Sequence, residues 1–197
     1  MAEHTRDRIM FASAELFRRQ GYTGTGLKQI VADANAPFGS LYHFFPGGKQ
    51  QLGDEVIRMA GEFFGRLFES VADDAPDVVS GIRDFFDGAA QTLEQTDYAD
   101  ACPIAAVALE VASTDEVLRQ ATADVFEGWT ASAAARLIEA GLDPERARAV
   151  ALAVIAAIEG AFVLSRAMRS TEPMKAAGAA AAAAVSSALA DAAVVSR

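Results

Sequence analysis

The sequence predicts an all-α protein, and three observations support this fold class. Apolar residues recur at helical spacing in successive segments along the 197-residue chain, as expected of amphipathic helices. Glycine, proline and small polar residues separate these segments, at positions where helices commonly end and begin. No window alternates apolar and polar residues for long enough to predict a convincing strand.

The first quarter of the chain contains a helix-turn-helix pattern. Asn35 tolerates the left-handed conformation that follows a helix C-terminus, and Pro37 favours the start of another helix. On that second helix, Leu41 and Phe45 lie at i and i+4 and are predicted to face the first. The apolar face of the first helix consists of Leu27, Ile30, Val31 and Ala34.

The outward face of the second helix predicts DNA binding. Gly39 and Ser40 are small enough for the backbone to approach a groove, and Phe38 is placed to touch a thymine methyl group. Tyr42 and His43 offer hydrogen-bond donors at phosphate range. Either aromatic alone is typical of an ordinary surface helix, but the ordered set favours DNA. The predicted DNA-binding residues are Thr25, Lys28, Pro37, Phe38, Gly39, Ser40, Tyr42, His43 and Lys49.

Another helix is predicted before this pair. Thr5 is placed to cap it, and Gly21 is expected to end it, with Tyr22 packing back on the last turn. Thr25 is a natural N-cap for the next helix and is also placed to bond a phosphate. Lys28 is a phosphate candidate, although a lone lysine is more often simply solvated. The apolar stripe of this earlier helix consists of Ile9, Ala12, Leu16 and Phe17.

The order of these residues resembles the DNA-binding domain of the TetR/AcrR family of bacterial repressors. The loop at residues 45–49, and the apolar stretch that follows Cys102 and ends at Glu110, resemble the LmrA/YxaF-like branch. Phe38 departs from the pattern, because many members carry a polar or basic residue there. The matching residues are Ile9, Ala12, Leu16, Phe17, Gly21, Tyr22, Thr25, Ile30, Ala34, Gly39, Leu41, Tyr42, Phe45 and Lys49.

The resemblance implies two domains. Residues 1–50 are expected to form a three-helix helix-turn-helix DNA-binding domain, and residues 51–197 a helical effector-binding and dimerisation domain. The partners it implies are double-stranded DNA with a palindromic operator, a second copy of the chain in a homodimer, and a small lipophilic effector.

Composition describes a globular protein, with 52% hydrophobic and 22% charged residues. The longest apolar run, at residues 149–158, is shorter than a membrane span. No signal peptide is recognised, and the single cysteine, Cys102, has no internal disulfide partner. These features predict a cytoplasmic protein without membrane insertion.

The net charge of −10 is unevenly distributed. Residues 1–52 hold six basic and four acidic side chains, whereas the remainder holds 11 basic and 23 acidic side chains. This asymmetry is consistent with a DNA-facing end and a DNA-repelling body, although the excess at the basic end is small.

Every segment after residue 52 is predicted to be helical. One long helix is expected at residues 49–71, with Phe63 and Leu67 among its inward residues, and another at residues 77–96. A capping box, Ser113 to Glu116, predicts a helix that Gly141 ends. Further helices are expected from residues 143–145 and from residues 171–173, the latter including the alanine-rich run at 179–184.

The last two helices predict a dimer, because a chain of this length has too little interior to bury both all round. Their apolar stripes at residues 154–162 and 177–189 are expected to meet a second subunit. Gly160 either serves a close helix crossing or is incidental.

An effector site is predicted from aromatic and apolar residues of the second domain, although such residues are more often core. Cys102 is expected to be a buried thiol rather than a sensor, and Glu110 to meet an arginine or solvent rather than a cationic ligand. The predicted ligand-binding residues are Phe63, Phe64, Leu67, Phe85, Phe86, Cys102, Val107, Phe126, Trp129 and Phe162.

Enzymatic function finds little support in the sequence. Two histidines give little material for a catalytic triad or a metal site, and the GxSxG, CxxC and HExxH motifs do not occur. No catalytic residue, cofactor or metal is therefore expected. Two classes remain: a ligand-controlled DNA-binding repressor, which is preferred, and a small-molecule-binding helical dimer without specific DNA binding.

Overall fold

A computed structural model describes residues 2–195 of the chain. These described residues form α-helices joined by short turns and contain no strand, which confirms the all-α prediction. The helices are α1 (Ala2–Gln20), α2 (Leu27–Asp33), α3 (Phe38–Phe44), α4 (Gly48–Asp74), α5 (Val78–Gln95), α6 (Pro103–Val111), α7 (Glu116–Glu139), α8 (Pro144–Met168) and α9 (Glu172–Val195).

The described chain divides into two compact units. The first unit holds the residues up to Phe63 together with Ala101–Phe126, and the second holds Phe64–Asp100 together with the residues from Glu127 onward. Helices α4 and α7 each contribute residues to both units. Compactness thus groups α6 with the N-terminal helices, while the functional boundary predicted at residue 50 stays a prediction.

The first unit is built around α1, which packs against α2, α3 and α6. Gly21 ends α1 in the left-handed region at φ +80°, and Phe17 meets the ring of Tyr22 edge to face at 5.3 Å, as the sequence predicts. The fully buried side chains of this unit include Ile9, Phe17, Ile30, Leu41, Phe45, Leu52, Ile104 and Leu118.

Three predicted helix caps are wrong. Helix α1 begins at Ala2, so Thr5 lies inside it. Gly26, not Thr25, is the N-cap of α2, because the Thr25 hydroxyl donates to the carbonyl oxygen of Gly21 at 2.6 Å. At α7, the Asp115 carboxylate accepts a hydrogen bond from the Leu118 backbone N–H at 3.1 Å, in place of the capping box predicted from Ser113.

The second unit has its core between α5, α8 and α9, with α9 packed along both of the other helices. Gly178 allows α9 to approach α5, because a Cβ atom there would lie 2.7 Å from Cβ of Phe86. The stripes predicted to meet a second subunit largely serve this core instead. Its buried members include Ile82, Phe86, Leu93, Ile158, Ala161, Met174, Ala181 and Val185.

The opposite faces of α8 and α9 are exposed and apolar. Both helices are long and apolar enough to cross a membrane by length and composition, with 18-residue windows of mean hydropathy 2.0 and 1.5. Only 22% and 28% of these windows is buried within the chain. The exposed apolar residues of α8 and α9 include Leu152, Ala156, Val163, Leu164, Ala167, Met168, Ala176, Ala180, Ala183 and Val194.

Candidate nucleic-acid interface and effector-binding residues

Helix α3 is anchored by two fully buried side chains, Leu41 within the helix and Phe45 at its C-cap. The turn before it is closed by Asn35, whose φ of +47° is left-handed, and by a hydrogen bond from the Ala36 backbone N–H to the carbonyl oxygen of Val31 at 2.9 Å. The predicted helix-turn-helix geometry is therefore present, with one face of α3 anchored and the other free.

The free face of α3 carries an aromatic pair. Phe38 and Tyr42 are 44% and 50% exposed, and their rings meet edge to face at 5.9 Å between centroids. His43 is also exposed, and Ser40 is half-buried. Open space surrounds Gly39, since a Cβ atom there would meet nothing within 4 Å. These predicted DNA-binding residues thus share one accessible surface.

The remaining predicted DNA-binding residues differ in accessibility. Lys28 on α2 and Pro37, the N-cap of α3, are exposed. Thr25 is only 1% exposed, and its hydroxyl lies between the carbonyl oxygen of Gly21 and the side-chain amide of Gln20. A phosphate contact by Thr25 stays a prediction, but its observed contacts stabilise the turn between α1 and α2.

Lys49 points toward the turn between α1 and α2. Its ammonium donates to the carbonyl oxygen of Tyr22 at 2.7 Å and lies 4.3 Å from the centre of the Tyr22 ring. Burial lowers the pKa of Lys49, although the carboxylate of Glu110 acts in the opposite direction. In this structure Lys49 joins the first turn of α4 to the turn between α1 and α2, and a phosphate contact by this residue stays a prediction.

Glu110 binds the same turn from the other side. Its carboxylate accepts hydrogen bonds from the backbone N–H groups of Tyr22 at 3.1 Å and Thr23 at 2.6 Å. The observed partners of Glu110 are therefore backbone N–H groups rather than an arginine. The sequence gives no signal for this contact, because 88 residues separate Glu110 from Tyr22. The donors are also backbone N–H groups, which do not depend on the residue type.

An arginine for which no role was predicted completes the support of α2. Arg8 on α1 donates through Nε to the carbonyl oxygen of Ala34 at 2.9 Å and through Nη2 to that of Asn35 at 3.1 Å. These carbonyls belong to the C-terminal end of α2, where a cation is favourable. Arg8 therefore fixes the turn that leads into α3, and its position on α1 is the only sequence signal for this role.

Six of the ten predicted ligand-binding residues belong to the second unit. Phe86 is 1% exposed in the core, where Phe85 and Phe162 pack against the same cluster. Leu67 is 42% exposed, so its predicted inward orientation is wrong. Trp129 is half-buried beside Gly65, where a Cβ atom would lie 3.4 Å from Nε1 of the indole. The sixth residue is Phe64, which is half-buried.

The other four predicted ligand-binding residues belong to the first unit. Cys102 is buried just before α6, as expected of an inert thiol, and Val107 within α6 is 1% exposed. Phe126 is half-buried, while Phe63 is 55% exposed, so its predicted inward orientation is also wrong. A surface depression in the second unit, lined in part by Asp77, Arg83 and Leu189, contains none of the ten.

The first unit thus has the features of one class of protein. A helix-turn-helix whose second helix is anchored by apolar residues and exposes an accessible face defines a DNA-binding regulator.

Comparison with known proteins identifies the family. Residues 9–56 match the family of bacterial regulatory proteins of the tetR type, and residues 78–180 match the C-terminal domain of LmrA/YxaF-like transcriptional regulators. The HTH-type transcriptional regulator YxaF of Bacillus subtilis (strain 168) is 35% identical over 170 residues, which cover 86% of this chain and 89% of YxaF. The chain belongs to the TetR family of transcriptional regulators, in its LmrA/YxaF-like branch.

Two further similarities agree with this assignment. The HTH-type transcriptional regulator LmrA of Bacillus subtilis (strain 168) is 32% identical over 170 residues, which cover 86% of this chain and 90% of LmrA. The crystal structure of a TetR regulatory protein from Rhodobacter sphaeroides superimposes with a TM-score of 0.81 at 22% identity, covering 89% of this chain and 96% of that one. At this identity the second similarity shows the fold alone.

Proposed function

We propose that this regulator is a repressor that binds an inverted-repeat operator as a homodimer and is released by a small lipophilic effector. The observation that carries the proposal is the free face of α3, where Phe38, Gly39, Tyr42 and His43 are exposed together above buried Leu41. An α-helix presented in this way fits the major groove of B-DNA, where base edges are distinguishable.

The exposed faces of α8 and α9 support the homodimer. Val163, Leu164 and Met168 are 57%, 54% and 58% exposed on α8, although water is a poor environment for a contiguous apolar face. A second copy of the chain supplies an identical apolar face, so that one interface about a two-fold axis covers the exposed faces of both subunits. This arrangement also gives two copies of α3, as an inverted repeat requires.

The small residues on these helices favour a protein partner over a lipid surface. A Cβ atom on Gly160 would meet nothing within 4 Å, and exposed Ala156, Ala180 and Ala183 leave shallow surfaces on which another helix can pack closely. The interface is expected to bury on the order of 2,000 Å² or more, as in obligate dimers. We further propose that the protein is cytoplasmic and not inserted in a membrane, which the match to a transcriptional-regulator family supports.

The effector proposal rests on the aromatic residues of the second unit and on the length of α4. Phe64, Leu67 and Trp129 offer partly accessible apolar surface of the kind that binds lipophilic molecules. Helix α4 is continuous from Gly48 to Asp74 and contributes to both units. An effector that favours a different tilt of α4 would change the separation of the two α3 helices in a dimer, whose half-sites lie about 34 Å apart.

The proposal is tested with the DNA upstream of the gene that encodes the chain. The full-length protein is expected to bind this DNA in preference to a random duplex of equal length, and to protect two symmetric half-sites in a footprint. Binding should weaken steeply with salt, with a log-log slope of about −0.9 per neutralised phosphate. Equal affinity for the upstream and random duplexes at moderate salt would support the alternative, a ligand-binding helical dimer without specific DNA binding.

A further inference from the structure

The free face of α3 lacks the side chains that most often read base pairs. The seven residues of α3 include no arginine, lysine, asparagine, glutamine, aspartate or glutamate. These side chains supply the paired hydrogen bonds to guanine and adenine, and the acceptor for cytosine. The nearby cation of Lys49 is directed at Tyr22. Base selection by α3 must therefore depend on few hydrogen bonds and on its aromatic surface.

That aromatic surface has a defined geometry. Phe38 is the first residue of α3, where recognition helices commonly meet base edges, and it is 44% exposed. Tyr42 lies one turn further along the same face, and its ring meets that of Phe38 at an interplanar angle of 65°. The edge-to-face contact favours this arrangement of the two rings, and it leaves apolar surface of Phe38 exposed. Open space beside Gly39 leaves room for a base edge to approach.

An exposed phenyl ring discriminates among bases because it displaces water from the group that it covers, and that group is either polar or apolar. The major groove presents hydrogen-bonding groups at every base pair, but only one apolar group, the C5-methyl of thymine. A ring placed over polar edges removes water without replacing its hydrogen bonds, whereas a ring placed on the methyl group buries apolar surface on both partners. 5-Methylcytosine carries the same methyl group at the same position.

We propose that Phe38, held by Tyr42, binds a pyrimidine 5-methyl group in each half-site, so that the operator requires thymine at that position. This inference rests on the proposed function, because it presupposes that α3 enters the major groove. It deepens that function by naming the chemical group that is read. The ring of Phe38 is the specificity determinant, and Tyr42 is a positioning residue.

The size of the effect follows from burial of one methyl-sized group. Removing it is expected to weaken binding about fourfold at one half-site, and about 15-fold when both half-sites of a symmetric operator are changed. Each thymine that Phe38 does not touch should be replaceable by deoxyuridine with little change, because the two bases share the same hydrogen-bonding edge.

The experiment uses duplexes enriched from a random-sequence library by the full-length protein. The enriched duplex is synthesised with thymine throughout and with deoxyuridine at one symmetric pair of positions at a time, and affinities are measured by fluorescence anisotropy. We expect one pair of substitutions to weaken wild-type binding about 15-fold. At that pair, 5-methylcytosine opposite guanine should bind more tightly than cytosine opposite guanine, which separates the methyl group from the A·T pair itself.

Three variants assign the effect to the ring. Phe38→Ala should bind the thymine and deoxyuridine duplexes equally, whereas Tyr42→Phe, which keeps the ring pair, should retain discrimination. Phe11→Ala is the matched control, because Phe11 is 65% exposed on α1, outside the face of α3. It should behave as wild type. Circular dichroism melts verify that each variant is folded.

The outcomes separate this inference from the function on which it rests. A library that yields no enriched sequence contradicts specific DNA binding itself. An enriched duplex that binds equally well with thymine and deoxyuridine at every position overturns the methyl-group inference and leaves DNA binding intact. Discrimination that persists in Phe38→Ala overturns the assignment to Phe38.

Discussion

A Cβ atom on Gly21 would lie 1.9 Å from Oε1 of Glu110. The same glycine has a φ of +80°, so its position excludes other residues for two independent reasons. The left-handed turn places the backbone N–H groups of Tyr22 and Thr23 side by side, and the Glu110 carboxylate binds both. Helix α6 thereby holds the turn from which α2 and α3 follow.

Gly21→Ala is expected to destabilise the protein by about 2 kcal/mol or more. The left-handed conformation of a non-glycine residue costs about 1–2 kcal/mol, and displacement of the Glu110 carboxylate weakens charge-assisted hydrogen bonds. Urea unfolding measures the change. Gly128→Ala is the control, because Gly128 lies inside α7 with a negative φ and a Cβ atom there would meet nothing within 4 Å. Equal unfolding free energies for the two variants would contradict this account of Gly21.

The turn also predicts a dependence of stability on alkaline pH. Burial, assisted by the carboxylate of Asp115, raises the pKa of Tyr22 from 10.0 to about 12. The neutral phenol is thus favoured in the folded state. Its stabilising contribution is complete below pH 10 and is lost as the pH rises from 10 toward 12. Partial solvent access reduces the expected loss to about 1 kcal/mol.

Tyr22→Phe isolates this contribution, because it keeps the ring that packs on Phe17 and removes the ionisable hydroxyl. The unfolding free energy of the variant should fall less between pH 10 and 12 than that of the wild type. Tyr42→Phe, which removes a hydroxyl from a residue that is 50% exposed, should retain the wild-type decline. A decline that is identical in Tyr22→Phe and Tyr42→Phe would show that Tyr22 is not its source.

Substitutions of two lysines in the first unit should distinguish a lysine that contacts DNA from one that stabilises the fold. Lys28 is exposed on α2, so Lys28→Ala is expected to lower the salt dependence of operator binding by about one phosphate contact, with unfolding unchanged. Lys49 donates to Tyr22, so Lys49→Ala should weaken binding to all sequences and also lower the unfolding free energy, by about 1 kcal/mol. Urea unfolding at neutral pH and anisotropy titrations across a salt series measure both effects. An unchanged unfolding free energy in Lys49→Ala would restore the simple phosphate-contact interpretation.

The helix-turn-helix itself was predictable from the sequence, because its determinants are local. Leu41 and Phe45 are close in sequence and both are buried, and Asn35 adopts the left-handed conformation that its residue type favours. The contact of Glu110 with Tyr22 was not predictable, because it joins distant segments through backbone donors that every residue carries.

The predictions of helix caps and of buried faces were wrong where the local sequence offered two equivalent residues or faces. Ser113 and Asp115 are both good N-cap residues, and only the backbone geometry selects Asp115. On α8 both faces are apolar, so periodicity does not show that Ile158 faces the core while Val163 is exposed. The interface proposed for the dimer therefore shifts from the predicted stripe to the opposite face of each helix.

This shift changes the substitutions that test assembly. Val163→Arg places a charge on the exposed face of α8 and is expected to favour monomers, measured by sedimentation at micromolar concentration, with operator binding lost in parallel. Val117→Arg is the matched control, since Val117 is 48% exposed on α7. It should remain a dimer.

Ala181, at 6% exposure, belongs to the core of one chain, so Ala181→Glu tests folding rather than assembly. A wild-type chain that sediments as a monomer would contradict the dimer.

The effector proposal predicts a reciprocal effect of DNA and ligand. A lipophilic aromatic compound that binds near Trp129 should quench the fluorescence of the chain's only tryptophan. If it lowers operator affinity 5- to 150-fold, corresponding to about 1–3 kcal/mol of coupling, saturating operator must weaken its own binding by the same factor. A panel of such compounds, titrated with and without operator, measures both quantities.

Phe64→Ala tests whether the effector binds at α4, the helix that contributes residues to both units. Phe64 is half-buried on α4 at the start of the second unit, so the substitution should weaken binding of a quenching compound by removing apolar contact area, while operator affinity without ligand changes little. Phe11→Ala removes an exposed phenyl ring from α1 and should leave the ligand affinity unchanged. A compound whose affinity is the same with and without operator makes no differential contact with the two states. Such a compound cannot release the protein from DNA, however tightly it binds, because only a difference in affinity shifts the equilibrium.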